Sequence, residues 1–498
     1  MYSIIVFSQN LKLESFRKIS LREKKENKII FLTTHFLFEN ERKYLTELFF
    51  DVEFYTFADF LTDEEMEECD VSSFSSREME YQTYLATLKK KKNAIVADKI
   101  LEKYPDSNKL ILSDDLGISI DIWRKRGFRY FKGEYYYDLN FKEKVGIVLE
   151  NFGFLRHIYD AIRQNTKKSG NYNPEEVSVA TYNGHKYVFI GKLNRIAYRL
   201  GINFTQSEFE CNKLNNGKYE TKDTCTYMTT WHEHGKCKIP DEDCYEVRWA
   251  QDGYLPPNYT HKDFCFRPDN VVYYCWDILG TQLFKNQGLP YEMIPFRKKL
   301  FLPEPIFPQK IENILIVASG SGDWTALKNR SDDDIMVDAF VKMAKRFPNI
   351  HFTYRCHPTW IHPLNVGVNS VNRVHKYFES MHLPNLTLSN NMPIANLEGN
   401  FQYSFSRSSL EEDLKKADFV FGEHSISMID AAFKGIPFCS VNLTKRRNFF
   451  IGINKLGFPT VSSHDEIAKI IEEANSVAFK KIYLKAIENY NRMTDEDF

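Results

Sequence analysis

Asn313-Ile314-Leu315-Ile316-Val317-Ala318, running into Ser319-Gly320-Ser321-Gly322-Asp323-Trp324, is the stretch that decides the fold of this chain. The first six residues are continuously apolar after Asn313 rather than alternating. That pattern predicts a strand buried on both faces, as in a parallel sheet covered by helices. Outward from it, Ile335–Arg346 places Met336, Val337, Phe340, Met343 and Ala344 at helical spacing. Strands are expected at Ile350–Tyr354, Asp418–Phe421 and Pro437–Val441, and helices at Leu410–Lys416, Ile426–Phe433 and over most of His464–Arg492. Strand and helix in alternation predict a doubly wound lobe over residues 309–480, with 481–498 as a C-terminal helix or tail.

Residues 1–140 carry the same rhythm. Strands are expected at Ser3–Phe7, Lys28–Leu32, Val52–Tyr55, Ala94–Val96 and Lys109–Leu112, and helices at Asn40–Leu48, Ser76–Lys89 and Ile120–Lys125. Residues 141–308 break it. Phe141–Asn165 reads as an amphipathic helix, 201–270 is polar with little periodicity, and the proline-rich Leu302–Pro308 reads as a linker. The expected fold class is therefore α/β: two Rossmann-type lobes around a cleft, with a polar inserted module.

Composition narrows the function. The chain has 498 residues, enough for two or three cores. Lys+Arg is 66 against Asp+Glu 67, so the basic excess of a nucleic-acid binder is missing. The opening MYSIIVFSQN has no basic start and no long apolar run, so it reads as a first strand rather than a leader. No stretch reaches the ~18 apolar residues of a membrane helix, which predicts a cytoplasmic protein and leaves room for peripheral membrane contact. Six of the nine cysteines fall between Cys211 and Cys275, without a CxxC pair. His232, His234, Cys237 and Cys244 are candidate zinc ligands there; the competing reading is a polar insertion with small buried thiols.

Four segments could carry chemistry. In Ser319–Trp324, Gly320, Ser321 and Gly322 would let backbone N–H groups approach phosphate oxygens, or would form a plain strand-to-helix turn. No GKS or GKT follows, which argues against an ATPase. Arg355-Cys356-His357-Pro358 closes the strand Ile350–Tyr354, and His357 there could donate a proton to a leaving phosphate. Gly422-Glu423-His424-Ser425-Ile426-Ser427 follows a strand and opens a helix. Its N–H groups and the Ser425 and Ser427 hydroxyls suit phosphate, while an ordinary serine cap explains them equally. Asp114-Asp115-Leu116-Gly117 follows the strand Lys109–Leu112; one carboxylate could act as general base, and an acidic surface turn is the alternative. Ser331–Asp334 reads instead as a capped helix start with favourable dipole charges. Position 431 is Ala, so the Glu-x7-Glu pattern of many retaining transferases is absent after Glu423.

Together these segments resemble the GT-B bacterial glycosyltransferases that build capsules and lipopolysaccharides from CMP-activated acidic sugars, the sialyltransferase and Kdo transferase type. Asp114 and Asp115 correspond to their acidic motif, His357-Pro358 to the HP motif, and Ser425 with Ser427 to the serine motif, in the same order along the chain. The resemblance covers residues 1–140 and 309–480. It implies a CMP-sugar donor, no metal or other cofactor, and a glycan or lipid-linked glycan acceptor met at the inner face of the cytoplasmic membrane. It further implies that Ser425 and Ser427, at the helix end, hold the phosphate; His424, Arg355, Gly320, Ser321 and Gly322 are further phosphate-binding candidates by their place at the strand ends. His357 would protonate that phosphate, and Asp114 or Asp115 would deprotonate the acceptor. The same His-Pro and serine elements also look like CDP-glycerol phosphotransferases. A UDP- or GDP-sugar transferase and a non-catalytic binding protein complete the alternatives.

Overall fold

A computed structural model describes residues 2–7, 11–19, 28–49, 51–69, 81–112, 120–131, 133, 302–318, 332–356, 370–389, 404–406, 408–423, 425, 427–443, 454 and 456–496, and between 134 and 301 the strands alone. The first lobe contains β1 (Tyr2–Phe7), β2 (Lys28–Thr33), α1 (Glu39–Leu48), β3 (Val52–Thr56), α2 (Asp63–Glu68), α3 (Tyr81–Lys103), β4 (Ser107–Ile111), α4 (Ile120–Lys125) and β5 (Arg129–Tyr130). Its five strands run in the order β3-β2-β1-β4-β5 and every pairing is parallel. The pleat divides β1 between two cores. Ile4 and Val6 pack with Val96, Ala97, Ile100 and Trp123, whereas Ile5 and Phe7 pack with Phe16, Phe31 and Leu45. A strand apolar on both faces with a separate core on each is what helices on both sides require.

One expected element is replaced. Ala94–Val96 is not a strand but the middle of α3. Leu88, Lys92, Asn93, Val96, Ala97, Ile100 and Tyr104 are the buried positions, and their three- and four-residue spacing is that of a helix face. Three apolar residues are too few to distinguish the two periods, and the longer pattern decides. Asn93 also accepts from Trp123 Nε1 at 2.7 Å, tying α3 to α4.

The middle stretch holds β6 (Glu176–Tyr182), β7 (His185–Ile190), β8 (Glu210–Lys213), β9 (Cys225–Thr229), β10 (Cys244–Glu246), β11 (Tyr273–Cys275) and β12 (Tyr291–Met293). Five of them form a mixed sheet, β10-β9-β7-β6-β8, where the sequence suggested a module with little periodicity. The pairing of Tyr182 with His185 leaves Asn183-Gly184 between β6 and β7, the dipeptide that favours a tight hairpin turn. The expected helix Phe141–Asn165 lies outside the described residues.

The second lobe comprises β13 (Asn313–Val317), α5 (Asp332–Arg346), β14 (His351–Arg355), α6 (Ser370–Met381), β15 (Leu386–Ser389), β16 (Ser404–Ser406), α7 (Leu410–Lys416), β17 (Phe419–Gly422), α8 (Ser427–Phe433), β18 (Phe438–Val441), β19 (Thr460–Val461), α9 (His464–Glu473) and α10 (Val477–Glu496). Its seven strands run in the order β16-β15-β14-β13-β17-β18-β19, all parallel. Ile314 to Val317 are all buried, as the opening stretch predicted. Asn385 is buried at the end of α5, its Nδ2 near the carbonyls of Ala344, Phe347 and Ile350 at 3.0, 3.2 and 2.9 Å. The Ala344 carbonyl is in the last turn of α5, where carbonyls lack a helical partner, and the other two lie in the turn that leads from α5 to β14. Helix α8 stops at Gly435, whose φ of +72° an L side chain rarely adopts.

Two doubly wound Rossmann-type lobes, the GT-B-like architecture expected, are thus present. The chain divides into two compact units: 1–156, 303–449 and 457–486 in one, and 157–302, 450–456 and 487–498 in the other. Both parallel sheets belong to the first unit. Within it they are joined by Arg373 of α6. Its Nε and Nη2 each donate to Glu41 of α1 at 2.7 Å, Nη1 donates to Asp334 of α5 at 2.7 Å, and Nη2 also reaches the Phe36 carbonyl at 2.8 Å. Asp334, read from sequence as a dipole charge at a helix start, is a buried ion-pair partner. Among the described residues no helix is long and apolar enough to cross a membrane.

Candidate functional site

Open parallel sheets bind ligands beyond the carboxyl ends of their strands, where strand order reverses. In the second lobe that reversal lies between β13 and β17. The strand register makes the place concrete. Val317 is paired with Arg355 on one side and Gly422 on the other, Arg355 with Ser389, and Gly422 with Ser440. One row across the sheet therefore carries the last residues of β13, β14 and β17. The segments that leave this row are 319–324, 356–358 and 423–427, the three stretches the sequence marks for phosphate. Arg355 and Gly422 stand two strands apart, roughly 10 Å between Cα atoms at ordinary strand spacing.

Packing at this row is tight. A Cβ on Gly422 would come within 2.8 Å of Val317 Cγ2 and 3.0 Å of Met428 Sδ. Glycine lets α8 close directly onto the ends of β13 and β17. Ser425 is buried, and its Oγ accepts from the Ser427 N–H at 3.4 Å, so the hydroxyl caps α8. Accepting that bond leaves the Ser425 O–H proton for donation. Ser427 is half-buried on the first turn of α8. Ser440, next to Gly422 in the row, is fully buried, with no hydrogen-bond partner for its Oγ among the described residues.

Arg355 has a different environment from the one expected. It is 8% exposed, and its Nη1 donates to Asp413 Oδ2 of α7 at 2.6 Å, the Ser408 carbonyl at 2.9 Å and Ser389 Oγ at 3.3 Å. Ser389 also donates to Asp413 at 2.5 Å, and Ser408 to its other oxygen. A buried carboxylate with three donors neutralises the guanidinium on site. The geometry makes Arg355 an organiser that pins the ends of β14 and β15 to α7. Asp413, Ser389 and Ser408 were not legible as its partners, since they lie 34 to 58 residues away.

In the first lobe the strand order reverses between β1 and β4. Val6 pairs with Ile111, and the Leu112 N–H donates to the Val6 carbonyl at 2.8 Å. Asp114 and Asp115 therefore follow the strand that borders the reversal, two and three residues beyond Leu112. Asp114, Asp115, His357, Gly320, Ser321, Gly322 and His424 lie outside the described residues, as do His232, His234 and Cys237. Cys244 begins β10. Among the described residues no group of three His, Cys, Asp or Glu side chains could hold a metal.

A residue missed in sequence is His35, just past the carboxyl end of β2. It is buried, with Nδ1 at 2.6 Å from Thr33 Oγ1. Burial first, and then the charge of Arg373, hold its pKa well below the usual 6.5, so it is neutral.

No protein-family model matches the chain, and no curated protein matches it. Solved structures do. The chain is similar to the UDP-GlcNAc 2-epimerase of Neisseria meningitidis bound to UDP-GlcNAc, at 9% identity, covering 100% of this chain and 99% of that one with a TM-score of 0.21. It is similar to MurG of Acinetobacter baumannii at 8% identity, 99% of each chain and a TM-score of 0.28. It is also similar to a UDP-forming α,α-trehalose-phosphate synthase of Burkholderia xenovorans at 12% identity, 99% and 97% coverage and a TM-score of 0.24. The strand orders β3-β2-β1-β4-β5 and β16-β15-β14-β13-β17-β18-β19 define the architecture by themselves.

Proposed function

We propose that the chain is a GT-B glycosyltransferase that moves an acidic sugar from a CMP-sugar to a surface glycan acceptor. The observation that supports it is the shared row Arg355–Val317–Gly422 at the strand reversal, because it starts all three phosphate-type segments from one edge of one sheet. In this reading the acceptor hydroxyl attacks the anomeric carbon. The bond from that carbon to the donor phosphate breaks, and the electron pair leaves with the nucleotide. Asp114 or Asp115 takes the hydroxyl proton, and His357 donates a proton to the departing phosphate. Ser425, Ser427 and the N–H groups of 320–322 and 424 hold the phosphate oxygens through the transition state. Arg355 orders the strand ends behind them. The acceptor is a growing or lipid-linked glycan at the cytoplasmic face of a membrane.

A thermal-shift panel of CMP, CDP, UDP and GDP tests the nucleotide. A ligand at about 100 times its Kd adds roughly 2.7 kcal/mol to stability, so a shift with CMP above the others supports the proposal. Turnover of CMP-sialic acid or CMP-Kdo, lost in His357→Ala and Ser425→Ala, supports the roles. Turnover of CDP-glycerol alone, or a response to UDP or GDP alone, replaces the donor assignment. No nucleotide response at all removes the enzyme reading.

A further inference from the structure

Helix α10 opens Val477-Ala478-Phe479-Lys480-Lys481-Ile482-Tyr483-Leu484-Lys485-Ala486, with three lysines and no acidic residue. One face is core: Phe479, Tyr483 and Ala486 are buried. The other face should then be polar throughout. It is not, since Val477 is 84%, Ile482 53% and Leu484 39% exposed. Ile306, one residue before the Leu302–Pro308 segment's contact with this helix, is 76% exposed. Its neighbour Phe307 packs edge-on against Phe479 and Tyr483, and Lys480 Nζ lies 5.5 Å over the Phe307 ring. Of the large apolar side chains exposed among the described residues, only Tyr2 lies outside this helix and the adjoining 306–307 segment. Lys480 and Lys481 lie three and four residues after Val477 and four and three before Leu484, so the four form one stripe, and Ile482 widens the exposed face to one side of it.

We infer that this stripe, with Ile306, is a docking surface for an anionic lipid bilayer. Aliphatic side chains that can enter the headgroup boundary, set among lysines whose stems are apolar and whose charges can reach up to phosphate, fit a helix lying in the membrane surface. Charge selects the lipid class, because three cations without a carboxylate among them complement an anionic headgroup. The patch takes in α10 and the 306–307 segment that packs on it. A protein groove grips the single apolar stripe of a helix, whereas a bilayer accepts the wider face. The inference is independent of the donor assignment.

Flotation of the full chain with vesicles tests it. Vesicles of equal parts phosphatidylglycerol and phosphatidylcholine should carry the protein at low ionic strength, and phosphatidylcholine alone should not. Each lysine charge removed should lower partitioning roughly fivefold, so Lys480→Gln/Lys481→Gln should lose about 25-fold. Val477→Ser/Leu484→Ser should weaken binding at low and high salt alike, while melting and nucleotide response stay as in the wild type. Equal binding by wild type and both variants overturns the inference, as does no binding of the wild type or binding indifferent to phosphatidylglycerol. If Val477→Ser/Leu484→Ser instead converts a dimer to a monomer without changing vesicle binding, the surface belongs to a second copy and the bilayer assignment is wrong.

Discussion

Arg373→Met is the most informative single change, because Arg373 is the side chain that ties the two parallel sheets through buried charges. Its guanidinium is 1% exposed, makes a two-point contact with Glu41, meets Asp334, and sits 4.8 Å over the Phe38 ring. Burial works to lower its pKa, but Asp334 and Glu41 outweigh it, and the net shift is upward. The cation is therefore fixed. Methionine keeps much of the volume and removes the charge, leaving two carboxylates to face one another in the interior. Breaking a buried pair from one side costs about 3–5 kcal/mol. Arg373→Lys keeps the charge and loses the two-point fork, so it should fall between. Arg373→Met/Glu41→Gln/Asp334→Asn should recover part of the loss, since no buried charge is left uncompensated. Urea unfolding followed by far-UV dichroism, with calorimetry in parallel, measures this. Calorimetry should also show a less cooperative transition in Arg373→Met, because the charged tie between the lobes is gone while the stack of Phe38 on Tyr377 remains. A loss under about 1 kcal/mol with one unchanged transition would refute the claim that this network couples the sheets.

Three further outcomes follow from other sites. His35 is neutral when folded and has an unfolded pKa of about 6.5; between that value and its depressed folded value the unfolded chain binds the extra proton, so stability falls as pH drops below about 6.5. His35→Gln should flatten that slope by close to one proton, about 1.4 kcal/mol per pH unit; an unchanged slope would show that His35 titrates normally. Gly422→Ala forces a Cβ to within 2.8 Å of Val317 and should cost about 1–3 kcal/mol, and Val317→Ala should relieve part of it in the double variant; strict additivity in chemical denaturation would refute the close approach. Asp413→Asn leaves Arg355 buried without its carboxylate and should cost about 3–5 kcal/mol, partly restored by Arg355→Met, again read by denaturant midpoint.

The sequence alone sufficed where the signal is local. Ile314–Val317 could only be a doubly buried strand, the spacing in 335–346 could only be a helix, and the alternation of the two specified parallel sheets. Asn183-Gly184, between two strands of the middle sheet, is a local signal of the same kind. Sequence alone misjudged Ala94–Val96, where three apolar residues fit either period and only the longer spacing from Leu88 to Tyr104, made visible by burial, chooses between them. Short strands such as β16 and β19 carry too few residues for any pattern; they exist because a neighbouring strand offers unpaired backbone groups. The candidate site divides in the same way. The segments at the strand ends were legible from glycine, serine and His-Pro, whereas their common level was decided by register. The partners of the charged residues were decided only by folding. Arg355 reads as a phosphate ligand until Asp413 is beside it, and Glu41 and Arg373 are 332 positions apart. Periodicity is a property of neighbours in the chain. Burial and charge compensation are properties of neighbours in space, and for a buried ion those determine the energy.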